Sequence, residues 1–327
     1  MRYLLLATSL LAGLAQAEPG ALEELGLDAE YPVSGMPNGN LSGLAICGET
    51  LWGVSDRDDD RVFQLSLAGD HLQAEAETFA APEPPESQQP WGLRMRNWAA
   101  SQVRGGTLDF EGLSCDTQGN RYLTSETQSA VLQLGANGSA QWLRLPNALV
   151  RQARASGMLL HFNQGFEGIA IDPAGERLWL AAEQRRRGLA VLLRKSSAWR
   201  CSGGCVLLNE SGMEPSPAAL GGHNAPRDFS GLAYFNDKLF TLERQAYRIC
   251  RRSLSDGAVE RCWSFAAEAL SEPRRYPVDY GVAEALWVDK DGAWIGVDNG
   301  SQTRADGEDR PIVWRFKAPE GGWSQRQ

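Results

Sequence analysis

One hairpin unit recurs five times along this chain, and such a repeat limits the fold more tightly than any single residue does. Its fullest form begins Asp109-Phe110-Glu111-Gly112-Leu113-Ser114 and ends at Glu126. Between these ends, two short apolar runs flank Gln118-Gly119-Asn120, a turn signal. In an antiparallel hairpin the start of the first strand lies beside the end of the second. Glu111 and Glu126 are therefore expected side by side on one rim of a sheet. The other copies are Phe166-Glu167-Gly168-Ile169-Ala170 leading to Glu183, and Leu41-Ser42-Gly43-Leu44-Ala45 leading to Asp56. Phe229-Ser230-Gly231-Leu232-Ala233 leads to Glu243, and Val282-Ala283-Glu284-Ala285-Leu286 to Asp298.

The first motif positions are 42, 111, 167, 230 and 284, at intervals of 69, 56, 63 and 54 residues. A four-stranded blade with its loops takes roughly 40 to 50 residues, so each interval holds one blade. The residues after Glu284, joined to residues 18–41, make one more interval of that size. The expectation is all-β: a five-bladed β-propeller closed by the N-terminal segment, with six blades if one has lost the motif. A β-sandwich predicts no repeat of this length.

Met1 and Arg2 open a short positive region, Tyr3 to Gly13 is apolar, and Ala15-Gln16-Ala17 is a small-residue cleavage pattern. Residues 1–17 read as a secretory signal peptide and 18–327 as a single propeller domain. The expected location is periplasmic or secreted, with no membrane span and a monomeric chain. A formal charge of -9 disfavours nucleic acid as a partner. Six cysteines in an exported chain read as up to three disulfides. The preferred set is Cys201 with Cys205, Cys250 with Cys262 across one hairpin, and Cys47 with Cys115 on the first strands of adjacent blades. Residues 81–90 hold four prolines and are expected to be irregular. Trp91 to Arg104 reads as a surface insertion or a lid, and Asn147 to Met158 as a short basic helix.

Asn163-Gln164-Gly165-Phe166-Glu167-Gly168-Ile169-Ala170-Ile171-Asp172-Pro173-Ala174-Gly175, ending in Leu180-Ala181-Ala182-Glu183, resembles the core motif of the phytase-like family of exported propellers. Asp109 to Leu113, ending in Thr124-Ser125-Glu126, resembles the same motif. The resemblance implies a propeller with esterase-like activity. It extends from about residue 40 to 316. The calcium-dependent propeller phytases are similar mainly in architecture, so their chemistry is an analogy.

Eight of the ten motif positions are acidic. The first acids, Glu111, Glu167 and Glu284, begin innermost strands and should ring the channel mouth, with Ser42 and Ser230 completing the ring. The second acids are Asp56, Glu126, Glu183, Glu243 and Asp298. Like charges about 4 Å apart repel by about 4 kcal/mol at a surface-like dielectric, so such a ring needs compensation. A hard cation is one answer, which makes Glu111, Glu167 and Glu284 candidate ligands of Ca2+. The other is structural: arginines that follow the second acids, among them Arg244 and Arg248, or backbone N–H groups of the next blade. His161 and His223 fall in loops entering the motif face and join Glu167 as candidate acid–base residues. Arg104, Arg227 and Arg275 occupy comparable approach loops and are candidates to hold an anion. Asp109, Asp228 and Asp279 read as turn caps or added ligands. Two functions from different classes follow. One is a metal-assisted hydrolase of phosphate esters or other esters, a lactonase included, acting on a small anionic or ester ligand. The other is a non-catalytic binding propeller.

Overall fold

The structure is a computed structural model and describes residues 22–37, 39–104 and 106–325, with the side chains of 103 and 104 set aside. The segment read as a signal peptide lies outside the described residues.

The five hairpin units become five blades. Blade 1 holds strands Gly43–Cys47, Thr50–Val54, Arg61–Ala68 and His71–Thr78. Blade 2 holds Phe110–Cys115, Arg121–Ser125, Ala130–Leu134 and Ala140–Trp142. Blade 3 holds Phe166–Ile171, Arg177–Ala182, Arg186–Lys195 and Ala198–Arg200, with Val206–Ser211 also paired to its third strand. Blade 4 holds Gly231–Phe235, Lys238–Glu243, Arg248–Arg252 and Val259–Ser264. Blade 5 holds Ala283–Val288, Gly292–Val297 and Ile312–Lys317. Its fourth strand is the N-terminal Leu27–Ser34, antiparallel to Ile312–Lys317, and Val33–Ser34 also runs parallel to the outer strand of blade 1. The closure expected from the spacing is thus made by the N-terminal segment.

Every blade is sandwiched between two others, so both faces of a strand are buried. This explains why Phe166–Ile171 is buried at all six positions and reads as a continuous apolar run apart from Glu167. The core is correspondingly divided into five clusters, one at each blade interface. Phe110 and Leu123 lie between blades 1 and 2, Phe166 and Leu180 between blades 2 and 3, Trp179 and Phe229 between blades 3 and 4. Trp263 and Trp314 lie between blades 4 and 5, and Leu41 and Val313 between blades 5 and 1.

The glycine after each first motif position sets how closely the innermost strands approach. A Cβ on Gly43 would lie 2.8 Å from Leu113 N, one on Gly168 2.9 Å from Leu232 N, and one on Gly231 2.9 Å from Glu284 O. Gly112 sits equally close against the Glu167 carbonyl. Each glycine therefore nests in the inner strand of the next blade. In blade 5 the position is Ala285, and that interface is filled by Leu41.

The disulfides are Cys47–Cys115, Cys201–Cys205 and Cys250–Cys262, the preferred set. The first joins the inner strands of blades 1 and 2 at the ends away from the acids. Among the described residues no helix is long and apolar enough to cross a membrane.

Candidate active site at the acidic mouth of the channel

Strand pairing in blades 2, 3 and 5 slips at the first acid. Phe110 faces Ser125 but Gly112 faces Thr124, Phe166 faces Ala182 but Gly168 faces Ala181, and Ala283 faces Val297 but Ala285 faces Gly296. Glu111, Glu167 and Glu284 are the extra residues of three β-bulges, a device that re-aims a side chain. Blades 1 and 4, where serine stands at this position, pair in regular register from Gly43 and Gly231 onward. Ser42 Oγ accepts from Asp56 N at 3.3 Å, and Ser230 Oγ donates to Ala283 O at 2.8 Å. The serines brace; the bulged acids face the opening.

That opening is a cleft of about 510 Å³. Seven carboxylates line it, Asp56, Glu111, Glu167, Glu183, Asp279, Glu284 and Asp298, together with one guanidinium, Arg244. Below the acids the channel is nearly shut: between Ser42, Gly112, Gly168 and Ser230 only about 10 Å³ remains, room for about one water.

The acids divide into two sectors. In one, Arg244 Nε lies 2.7 Å from Asp228 Oδ2, and its terminal nitrogens pair with Glu183 and Glu284 and approach Glu167 Oε2 at 3.8 Å. In the other, oxygens of Asp56, Asp109 and Glu111 all lie within 4.8 Å of one another. Of the three first acids, only Glu111 belongs to this close group. Asp109 takes up a left-handed backbone, φ 58°, which Asp tolerates better than most residues do. Asp59 fixes the approach to it by accepting from Leu108 N at 2.8 Å and from Thr107 Oγ1 at 2.7 Å.

Two second acids serve the framework. Glu126 Oε1 accepts from Gly165 N at 2.8 Å, tying blade 2 to the backbone that enters blade 3. Glu243 does not line the cleft; it is held by Arg187 at 2.9 Å, by Arg252 at 2.8 Å and by Arg248. Burial opposes its ionisation, but the three arginines outweigh this and hold its pKa at about 2.

The cleft acids shift the other way. Burial and then Asp109, Asp56 and Glu126 push Glu111 well above the carboxylate range. Burial and Glu183 do the same to Glu167, against the opposing pull of Arg244. Glu284 is raised to about 8 by burial although Arg244 counters it. Asp298 is raised to about 6 by burial and Asp56.

His223 lines the cleft, with Nδ1 3.1 Å from the Leu220 carbonyl. It is carried by a loop in a two-strand ribbon, Met213–Pro215 with Asn224–Pro226, which the repeat did not predict. His161 is exposed and is not among the residues lining the cleft. Arg227 Nε lies 3.6 Å from Glu214, and Arg275 Nη2 donates to the Leu270 carbonyl at 3.1 Å. Neither lines the cleft. Arg104 ends the helix Trp91–Arg104, and its side chain lies outside the described residues.

Residues 36–195 match the model of the family described as "Phytase-like: Esterase-like activity of phytase". This stretch of the chain is phytase-like. It contains Asp56, Asp109, Glu111 and Glu167 and three of the five hairpin units. No curated protein matches the chain. Similar solved structures include the glutaminyl cyclase of Myxococcus xanthus, 11% identical, with 90% of this chain and 98% of that one covered and a TM-score of 0.50. Virginiamycin B lyase of Staphylococcus aureus is 11% identical, with 90% and 100% covered and a TM-score of 0.42. The likeness to the cyclase concerns the fold alone.

Proposed function

We propose that this phytase-like protein is an exported hydrolase of ester bonds that works with a divalent cation, calcium, held by Asp56, Asp109 and Glu111. One observation carries the reading: the oxygens of these three side chains lie within 4.8 Å of one another. An all-oxygen set at that spacing suits Ca2+, whose ligand oxygens lie about 2.3–2.6 Å from the ion. Burial and then its acidic neighbours push Glu111 upward, and the repulsion from those neighbours is what a cation would relieve. Three disulfides fit an oxidising compartment.

When bound, the cation would supply positive charge to an ester oxygen. With Nδ1 donating to Leu220, His223 Nε2 is the basic nitrogen and takes a proton from water. Glu167, whose carboxyl is pushed upward by burial and by Glu183, returns a proton to the leaving oxygen. Arg244 is committed to carboxylates on both sides and does not clamp an anion. Arg227 and Arg275 do not line the cleft. Carboxylic esters and lactones therefore stand ahead of phosphomonoesters as substrates.

A panel of nitrophenyl carboxylic esters, lactones and nitrophenyl phosphate, assayed with calcium and with chelator, tests this. Turnover of a carboxylic ester or lactone should disappear with chelator and fall about 100-fold in His223→Ala. Calcium-dependent stabilisation with no turnover on any class would leave a binding protein instead. That second reading draws on a depression of about 880 Å³ at the far end of the propeller, lined by Trp52, Trp287, Tyr234 and Phe235.

A further inference from the structure

The helix Trp91–Arg104 between blades 1 and 2 is turned inside out. Trp91, Met95 and Trp98, at i, i+4 and i+7, share one face, and they are 71%, 42% and 58% exposed. The side against the protein carries half-buried Leu93 and otherwise small and polar residues: Ser101 is buried, and Asn97 Nδ2 donates to Gln89 Oε1 at 3.1 Å. A helix that existed only to fill space would turn its two tryptophans inward.

We propose that this helix is an interfacial anchor that seats the cleft-bearing face on an anionic lipid surface. Its position is fixed relative to the cleft. Gln89 Nε2 donates to Ser129 Oγ at 2.9 Å and to the Glu126 carbonyl at 3.4 Å. The chain then leaves the helix along Asp59 and enters Asp109. The stripe and the acidic mouth thus share one face of the propeller.

The charge selects the partner. The helix itself carries Arg94, Arg96 and Arg104 and no carboxylate in a chain of formal charge -9, and Arg94 pairs with Glu86 just before it at 3.3 Å. Tryptophan over a basic flank is the composition of helices that lie in the membrane interface. Area argues against a second protein. With side chains of up to about 250 Å² each, the stripe exposes roughly 400 Å². A stable protein interface needs about 800 Å² per partner. The anchor stands independently of hydrolysis.

The test is sedimentation of the full mature protein with phosphatidylcholine vesicles, with and without phosphatidylglycerol. Tryptophan emission is followed in parallel. Wild-type protein should bind the mixed vesicles with a blue shift, bind plain phosphatidylcholine more weakly, and lose the difference at high salt. Trp91→Ser with Trp98→Ser should weaken binding about tenfold or more without changing the melting temperature, since both side chains are exposed. Arg94→Gln with Arg96→Gln should remove the preference for phosphatidylglycerol. No partition of wild-type protein into either vesicle overturns the proposal, as does equal binding by the tryptophan variant. A concentration-dependent dimer abolished by the same tryptophan variant would also overturn it, assigning the stripe to a second copy.

Discussion

Arg244 Nε and Asp228 Oδ2 lie 2.7 Å apart in the wall of the cleft, and this pair anchors the guanidinium that neutralises one half of the acid ring. The same side chain pairs with Glu183 and Glu284. Removing one partner of a buried ion pair leaves the others uncompensated, at a cost of about 3–5 kcal/mol. Arg244→Met should therefore lower the urea midpoint by that equivalent. Adding Glu284→Gln should recover part of the loss. An unchanged midpoint for the single variant would show that the carboxylates are already protonated.

The pH dependence of the metal-free protein follows from the raised groups. Glu284 moves from 4.5 to about 8 and Asp298 from 3.8 to about 6. Each binds its proton more tightly in the folded state. Its contribution is full below the unfolded pKa and is lost as pH rises through the folded value. With chelator present, the melting temperature should fall as pH rises from about 4 to about 8. Calcium should oppose the fall, because it binds the folded chain. Glu243 acts oppositely: depressed to about 2, it stabilises above its ordinary 4.5 and ceases to as pH falls through about 2. A melting temperature that rises with pH in chelator would contradict the buried-acid account.

Much of the architecture was legible because it depends on local chemistry repeated five times. Turn residues, alternating ends and a unit that recurs every 54 to 69 residues point to blades without tertiary information. Cys250 and Cys262 could be paired from the hairpin alone, and they do face each other in register. The site was less legible. The one-residue bulge at Glu111 is a slip in strand register, which no local pattern announces. Arg244 was visible as an arginine after a second acid, but not as the residue that divides the ring. Asp109 and Asp228, which open the shared Asp-Phe-x-Gly, were readable as turn caps or added ligands, but not as members of opposite sectors. One member of that pair is met by Arg244, and the other sits with Asp56 and Glu111. Arg227 and Arg275 were grouped by sequence distance to the motif, which does not fix where a long side chain finds its partner.

The disulfides should differ in worth according to the loop each closes. Cys47–Cys115 spans a sequence separation of 68 and Cys201–Cys205 one of 4. Chain entropy assigns about 4 kcal/mol to the first and about 2 to the second. Replacing each pair with serine or alanine and measuring unfolding in urea should reproduce that order. Equal losses would mean that native packing, not the unfolded chain, sets their contribution.

The glycine ring offers the sharpest steric prediction. A Cβ on Gly43 would meet Leu113 N at 2.8 Å and Gly112 C at 2.9 Å, both backbone atoms of the next blade. Neither can swing aside as a flexible side chain would, so blades 1 and 2 must separate. Overpacking of this kind costs about 1–3 kcal/mol. Gly43→Ala should therefore lower stability by that amount. The shift would move Glu111 relative to Asp56, so the calcium response should weaken in the same variant. Gly26 is the control. A Cβ there meets nothing within 4 Å, and Gly26→Ala should be neutral or stabilise by up to about 1 kcal/mol. If Gly43→Ala matched Gly26→Ala in both melting temperature and calcium response, the inner strands would not be in the close contact that places the acids around one mouth.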